Sequence, residues 1–150
     1  MCDKKKIMLE DFTEENRASA QDYLCPICKY IIEDVYTDTC GHSFCKECIF
    51  PYVTENNKCP VSQNELDVSG LIKAPIIDST IHKYQIFCPN KSLGCEWIDY
   101  ITKRSTHLSE NCPYEMENCL NNGCTCKFLR KDRLEHLLIC DYSLTRCELC

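Results

Sequence analysis

Seven metal-binding side chains fall on a narrow stretch of this 150-residue chain: Cys25, Cys28, Cys40, His42, Cys45, Cys48 and Cys59. Thiolates and imidazoles in pairs with one or two residues between them suit a tetrahedral dication, and zinc above all. The segment "CGHSFCKEC" holds four of these donors within nine residues. Neighbours so close cannot easily close one tetrahedron, because the chain would have to turn back on itself. Interleaving resolves this. Cys25, Cys28, Cys45 and Cys48 would make a first site, and Cys40, His42 and Cys59 three-quarters of a second. The eighth donor is due three residues after Cys59, where "KCPVSQNEL" places Ser62. A serine hydroxyl is a poor zinc ligand.

From residue 88 the chain repeats itself. One unit runs Cys88, Cys95, His107, Cys112, and the next runs Cys119, Cys124, His136, Cys140. In both, eleven residues separate the second cysteine from the histidine, and four or three separate the histidine from the last cysteine. Gly94 and Gly123 precede the second cysteines, as a tight knuckle requires. Cys126 offers a rival register, since Cys119 to Cys126 has the same gap as Cys88 to Cys95. It would leave only nine residues before His136, so Cys124 is preferred and Cys126 becomes a spare thiol. Cys147 and Cys150 begin a third unit whose remaining ligands are absent, and the chain is expected to be a fragment of a longer protein.

These donors need elements to hold them. Residues 1–20 have no cysteine pair and are mostly charged or polar, which predicts a flexible arm or a helix formed on docking. Residues 21–72 hold the first ladder. Residues 73–87 predict a linker helix capped by Asp78 or Ser79, with Ile77, Ile81 and Tyr84 on one face. His82 lies on it alone and is expected not to bind metal. Residues 88–114 and 115–142 form the two repeats, each with one short helix delivering a histidine and a cysteine, and 143–150 start the truncated third. A repeat of roughly thirty residues cannot bury a core alone, so an elongated array is expected. The fold class is therefore small zinc-stabilised α+β modules.

Sixteen cysteines are just over a tenth of the chain, and without them the apolar fraction of 44% falls to about a third, too lean for one large core. The opening "MCDKKKIMLEDFTEEN" has a basic start but no apolar stretch behind it, so a reducing, cytoplasmic setting is expected, where zinc is favoured over disulfides. No apolar run has membrane-spanning length. The net charge of −6 argues against nucleic acid as the main partner, and thiolate-rich zinc sites do not reverse the sign.

"YLCPIC…CGHSFCKEC…CPV" resembles the RING finger of ubiquitin ligases. Followed by a linker helix and Cys–Cys–His–Cys repeats, it is similar to the N-terminal half of the tumour-necrosis-factor-receptor-associated factor (TRAF) family. The resemblance covers about residues 20–150. It implies a cross-brace RING finger over 21–72, tandem ββα-like TRAF-type fingers, about four zinc ions, and an E3 ubiquitin ligase that works as a scaffold. The partners implied are a ubiquitin-conjugating enzyme, ubiquitin and a protein substrate, with self-association as RING dimers or through a coiled coil. No covalent nucleophile is needed, and Cys2 and Cys126 have no histidine partner nearby in sequence. By the same resemblance Ile27, Tyr52 and Pro60 would line the groove for the conjugating enzyme. Gln63 stands where many active RINGs carry a basic residue touching both ubiquitin and its carrier. A non-catalytic signalling scaffold is the alternative.

Two positions depart from the family pattern. Pro51 falls in the expected RING helix, so that helix is predicted to start near Ile49 or Phe50, or to be short. TRAF-like RINGs often have Asp where this chain has Ser62. Water held by Ser62, a shifted oxygen ligand such as Glu65 or Asp67, or a labile three-coordinate metal would each account for it. An open zinc position normally binds water, which favours the first two. The second site is expected to lose zinc first under a chelator.

Overall fold

The computed structural model describes residues 6–143, which fall into two units. The Cys147/Cys150 pair and Cys2 lie outside the described residues. The first unit reaches to Phe87 and takes in Ile98–Thr102; the second comprises Cys88–Trp97 and the residues from Lys103 onward.

In the first unit, α1 (Glu14–Ala20) is followed by strands β1 (Val35–Thr37) and β2 (Ser43–Cys45), helix α2 (Lys46–Asn56) and strand β3 (Ile72–Lys73). β1 is central, antiparallel to both neighbours, with Val35 opposite Cys45, Tyr36 opposite Phe44 and Tyr36 opposite Lys73. In this register Val35 and Phe44 point to opposite faces of the sheet, and both are fully buried, as are Ile49 and Val53 of α2. Helix α3 (Pro75–Ile81) and the hairpin β4 (Gln85–Phe87)–β5 (Ile98–Tyr100) complete the unit.

The helix α2 begins earlier than expected. It runs from Lys46 through Pro51 rather than starting at Ile49 or Phe50. An interior proline removes a ladder hydrogen bond and costs about 3 kcal/mol. Burial of Ile49 and Val53 offsets this, at about 1.5–3 kcal/mol each. Cys45 at the N-cap and Cys48 in the first turn both belong to one cysteine cluster, which fixes where the helix starts.

The linker helix also starts earlier than expected. It begins at Pro75, whose fixed φ suits the first helical position, and not after an Asp78 or Ser79 cap. The Asp78 carboxylate accepts instead from Val35 N at 3.3 Å, joining α3 to the central strand. The expectation of a flexible arm is corrected for residues 6–20. Ile7, Phe12 and Ala20 are buried, Phe12 bridges Ile86 in antiparallel fashion, and Thr13 N donates to Gln85 O at 3.3 Å. The Phe12 ring meets Tyr84 edge-on with centroids 6.1 Å apart. Arm, first ladder and linker helix thus share one unit.

In the second unit, helix α4 (Arg104–Thr106) leads into a π-helical turn (His107–Asn111), then hairpin β6 (Met116–Asn118)–β7 (Lys127–Leu129) and helix α5 (Arg133–Ile139). Arg130, after β7, ties this unit together. Its guanidinium donates to Cys112 O (2.9 Å), Leu108 O (3.1 Å), Ser109 O (2.8 Å) and Glu117 Oε1 (2.7 Å). Hydrogen bonds to a charged group contribute about 1.5–3 kcal/mol. Arg130→Met is therefore expected to destabilise this unit by about 2–3 kcal/mol. Urea unfolding of the full chain would read it, and a change below about 0.5 kcal/mol, as at an ordinary surface position, would refute it. Among the described residues no helix is long and apolar enough to cross a membrane.

Candidate metal centres

Four clusters of donor atoms assemble from these elements. The Sγ atoms of Cys25, Cys28, Cys45 and Cys48 lie within 4.8 Å of one another, with Cys28 and Cys45 4.0 Å apart. Four tetrahedral thiolates at a Zn–S length of about 2.3 Å would stand roughly 3.8 Å apart. The electrostatics fit a dication as well. Hydrogen bonding from the Cys45 thiol, aided by the Cys28, Cys45 and Ile27 amides against the cost of burial, pulls Cys25 down to about 4. Its hydrogen bond to Cys25, then burial, pushes Cys45 up, while burial and then the Cys28 thiol push Cys48 to about 12. One thiolate forms readily, and like charge opposes the rest. A central dication lifts that opposition.

In the first finger, Cys88, Cys95, His107 and Cys112 are all buried. His107 Nε2 is 3.2 Å from Cys88 Sγ and 3.4 Å from Cys95 Sγ, while Cys112 Sγ is 3.7 Å and 3.8 Å from those sulfurs. These match tetrahedral edges of roughly 3.5 Å for S–N and 3.8 Å for S–S. Burial, then the Arg130 cation, lower the His107 pKa, which keeps the imidazole in its neutral, ligating form. His107 and Cys112 are five apart in sequence, against four for His136 and Cys140. The π turn absorbs that extra residue: Cys112 N returns to His107 O at 2.6 Å.

In the second finger, Cys119, Cys124, His136 and Cys140 converge, with Cys124 Sγ 3.7 Å from His136 Nε2 and Cys119 Sγ 3.9 Å from Cys140 Sγ. The cluster takes Cys124. Cys126 is exposed, and its carbonyl accepts from Cys119 N. Gly94 and Gly123 have positive φ (109° and 89°), and an added Cβ would come within 2.9 Å of Tyr114 and 2.8 Å of Tyr142.

Supporting residues escaped the sequence reading although they recur at fixed offsets. Asn90 and Asn121, each two after a first cysteine, donate a backbone N–H to that sulfur at 3.4 Å. Their side-chain amides reach the last cysteine of the same finger at 3.4 Å and 3.2 Å. Trp97 stacks on His107 (4.4 Å, 10°), and Phe128 stacks on His136 (4.5 Å, 25°).

The second RING-ladder site differs from the expected set. His42 and Cys59 come together, Nδ1 to Sγ 3.6 Å, but the third member of their cluster is Asp38, not Cys40. Exposed Cys40 accepts from Asn64 Nδ2 at 3.4 Å and from Ser62 Oγ at 3.8 Å. Neither shifted ligand named from the sequence joins. Asp67 caps a short turn through Ser69 Oγ and Gly70 N, and exposed Glu65 pairs in backbone fashion with Lys58. Ile27, Tyr52 and Pro60 are half-buried. Gln63 is exposed with φ of 61°, and its Nε2 donates back to Pro60 O at 3.2 Å. His82 belongs to none of the clusters.

Residues 24–62 match the family model of the C3HC4-type zinc finger, the RING finger. Mouse RING finger protein 151 is 31% identical over 128 residues, 85% of this chain and 53% of that protein. The E3 ubiquitin-protein ligase NRDP1 of Xenopus laevis is 34% identical over 92 residues, 60% of this chain and 29% of that one. A TNF receptor-associated factor family protein of Dictyostelium discoideum is 28% identical over 149 residues, 86% and 34% respectively. The chain spans about half the length of RING finger protein 151 and less of the other two.

Proposed function

From a chain that carries a C3HC4 RING finger followed by Cys–Cys–His–Cys modules, we propose a RING-type E3 ubiquitin ligase module. It binds a charged ubiquitin-conjugating enzyme and promotes transfer of ubiquitin to substrate lysines, without a covalent intermediate of its own. The observation that carries this reading is the RING match over residues 24–62 together with the four-cysteine cluster inside it. The name of the relative NRDP1, an E3 ubiquitin-protein ligase, agrees. Ile27 sits between Cys25 and Cys28, so zinc at that cluster would hold it at the surface as a docking residue, with Tyr52 and Pro60 completing an apolar groove. The fingers space the RING and bind partners, in a reducing compartment such as the cytoplasm.

A non-catalytic scaffold is the second reading, favoured by Gln63. It is uncharged, and its amide turns back onto the Pro60 carbonyl. Incubation with activating enzyme, a panel of conjugating enzymes, ubiquitin and ATP separates the two. The ligase reading expects chains with at least one conjugating enzyme. It also expects their rate to fall about tenfold or more in Ile27→Ala at unchanged zinc content, since truncating an interface anchor costs about 2 kcal/mol. No chains with any of the panel would sink it.

A further inference from the structure

We propose that Asp38 is the ligand that completes the second RING zinc site in the place that Ser62 leaves open: its donor atom already clusters with those of His42 and Cys59, and Cys40, whose sulfur stands outside that cluster, is the fourth ligand that the same turn supplies. Asp38 lies two residues before Cys40, and its side chain is 1% exposed. A carboxylate so buried must be paired. Its Oδ1 accepts from Cys40 N at 2.9 Å and His42 N at 2.8 Å, and those bonds fix the orientation of the group. That leaves Oδ2, which stands 3.0 Å from His42 Nδ1.

The ring nitrogen decides between two roles. A carboxylate that only orients a metal-bound histidine takes the nitrogen remote from the metal. Here the carboxylate oxygen and Cys59 Sγ converge on the same nitrogen, Nδ1, at 3.0 Å and 3.6 Å. The latter matches a tetrahedral S–N edge of roughly 3.5 Å, and the former is a few tenths short of the roughly 3.4 Å expected between oxygen and nitrogen ligands. The local chain is built for this. Asp38 N donates to His42 O, Gly41 N donates to Asp38 O, and Gly41 takes a φ of 86°, so one tight turn carries Asp38, Cys40 and His42. The Cys59 sulfur accepts from the amides of Val61 (3.3 Å) and Ser62 (3.4 Å), which fix its direction. Ser62 thus contributes through its backbone, and its hydroxyl is spent on Cys40. Carboxylate oxygen is a good zinc donor; an alcohol is not.

The test reads metal rather than ubiquitin transfer, so it stands apart from the ligase reading. The full chain is loaded with cadmium-113, whose resonance at each cluster reports the number of bound sulfurs. Asp38→Cys is expected to shift the resonance of the two-sulfur site to the three-sulfur position and leave the other clusters unmoved. Ser62→Ala should leave every resonance in place and zinc affinity within about twofold. Asp38→Asn should weaken zinc at this site more than about a hundredfold, beyond the 10–100-fold typical of an outer-shell partner. An unchanged sulfur count in Asp38→Cys, or displacement of that resonance by Ser62→Ala, overturns the proposal. Should Asp38→Asn fail to fold, the Asp38→Cys resonance still decides.

Discussion

Cys45→Ser is expected to abolish zinc binding at the four-cysteine site and with it the folded state of the first unit's RING portion. Cys45 joins three structures at once. It ends β2 opposite Val35, it is the N-cap of α2, and its sulfur belongs to the four-cysteine cluster while accepting from Glu33 N at 3.4 Å. The substituted hydroxyl is similar in size, so the effect isolates ligation from packing. Structural zinc contributes about 10–16 kcal/mol to small metal-dependent modules, as much as or more than the 5–15 kcal/mol that stabilises a typical domain. A three-thiolate remnant cannot replace that. The second RING site should empty too, because its turn at residues 38–42 immediately precedes β2. Zinc stoichiometry should fall by about two per chain while the two finger clusters stay loaded, and the near-ultraviolet circular dichroism of the RING portion should collapse. Full zinc content with an unaltered melting transition would contradict the assignment.

Phe12→Ala should cost about 3–5 kcal/mol, the range for deleting a buried aromatic ring. Phe12 is fully buried far from any metal ligand in sequence, so this loss measures packing alone. Three contacts go with the ring or loosen around it: the edge-on pairing with Tyr84, the bridge to Ile86, and the hydrogen bond from Arg17 Nη2 to the Phe12 carbonyl at 3.3 Å. The urea midpoint of the first unit's transition should drop with an unchanged slope, since the surface exposed on unfolding barely alters. A loss under 1 kcal/mol would mean that residues 6–20 only lie against the unit without supporting it.

What sequence could and could not reveal follows from the range of the interactions. Metal ligands declare themselves through spacing along a few turns of chain, so the clusters around Cys25, Cys88 and Cys119 could be assembled before any coordinates. The choice of Cys124 over Cys126 rested on the same local counting. Phe12 left no such trace: one aromatic in a charged stretch has no period, and its partners Tyr84 and Ile86 lie more than seventy residues away. Asp38 stands off the register of the ladder: the vacant rung falls after Cys59, whereas the substitute oxygen sits two residues ahead of the third. The spacing Asp–x–Cys–x–His was its legible sign. Pro51 argues locally for a late helix start, and the burial of Ile49 and Val53, a property of the assembled fold, overrides that propensity. The asparagines two after Cys88 and Cys119 were visible as a repeat, but nothing local says that a side-chain amide will reach a sulfur about twenty residues on.

The ring stacked on His107 has a practical corollary. Trp97 is the single tryptophan of the chain, and the equivalent place in the next finger is taken by Phe128. Indole emission is sensitive to whether the imidazole beneath it is bound, neutral or protonated, and phenylalanine is silent at those wavelengths. Nature has therefore labelled one finger and left its twin dark. Excited at the red edge of the indole absorption band, where tyrosine no longer absorbs, this chain offers an optical channel private to the first finger, through which its occupancy can be followed without any probe attached.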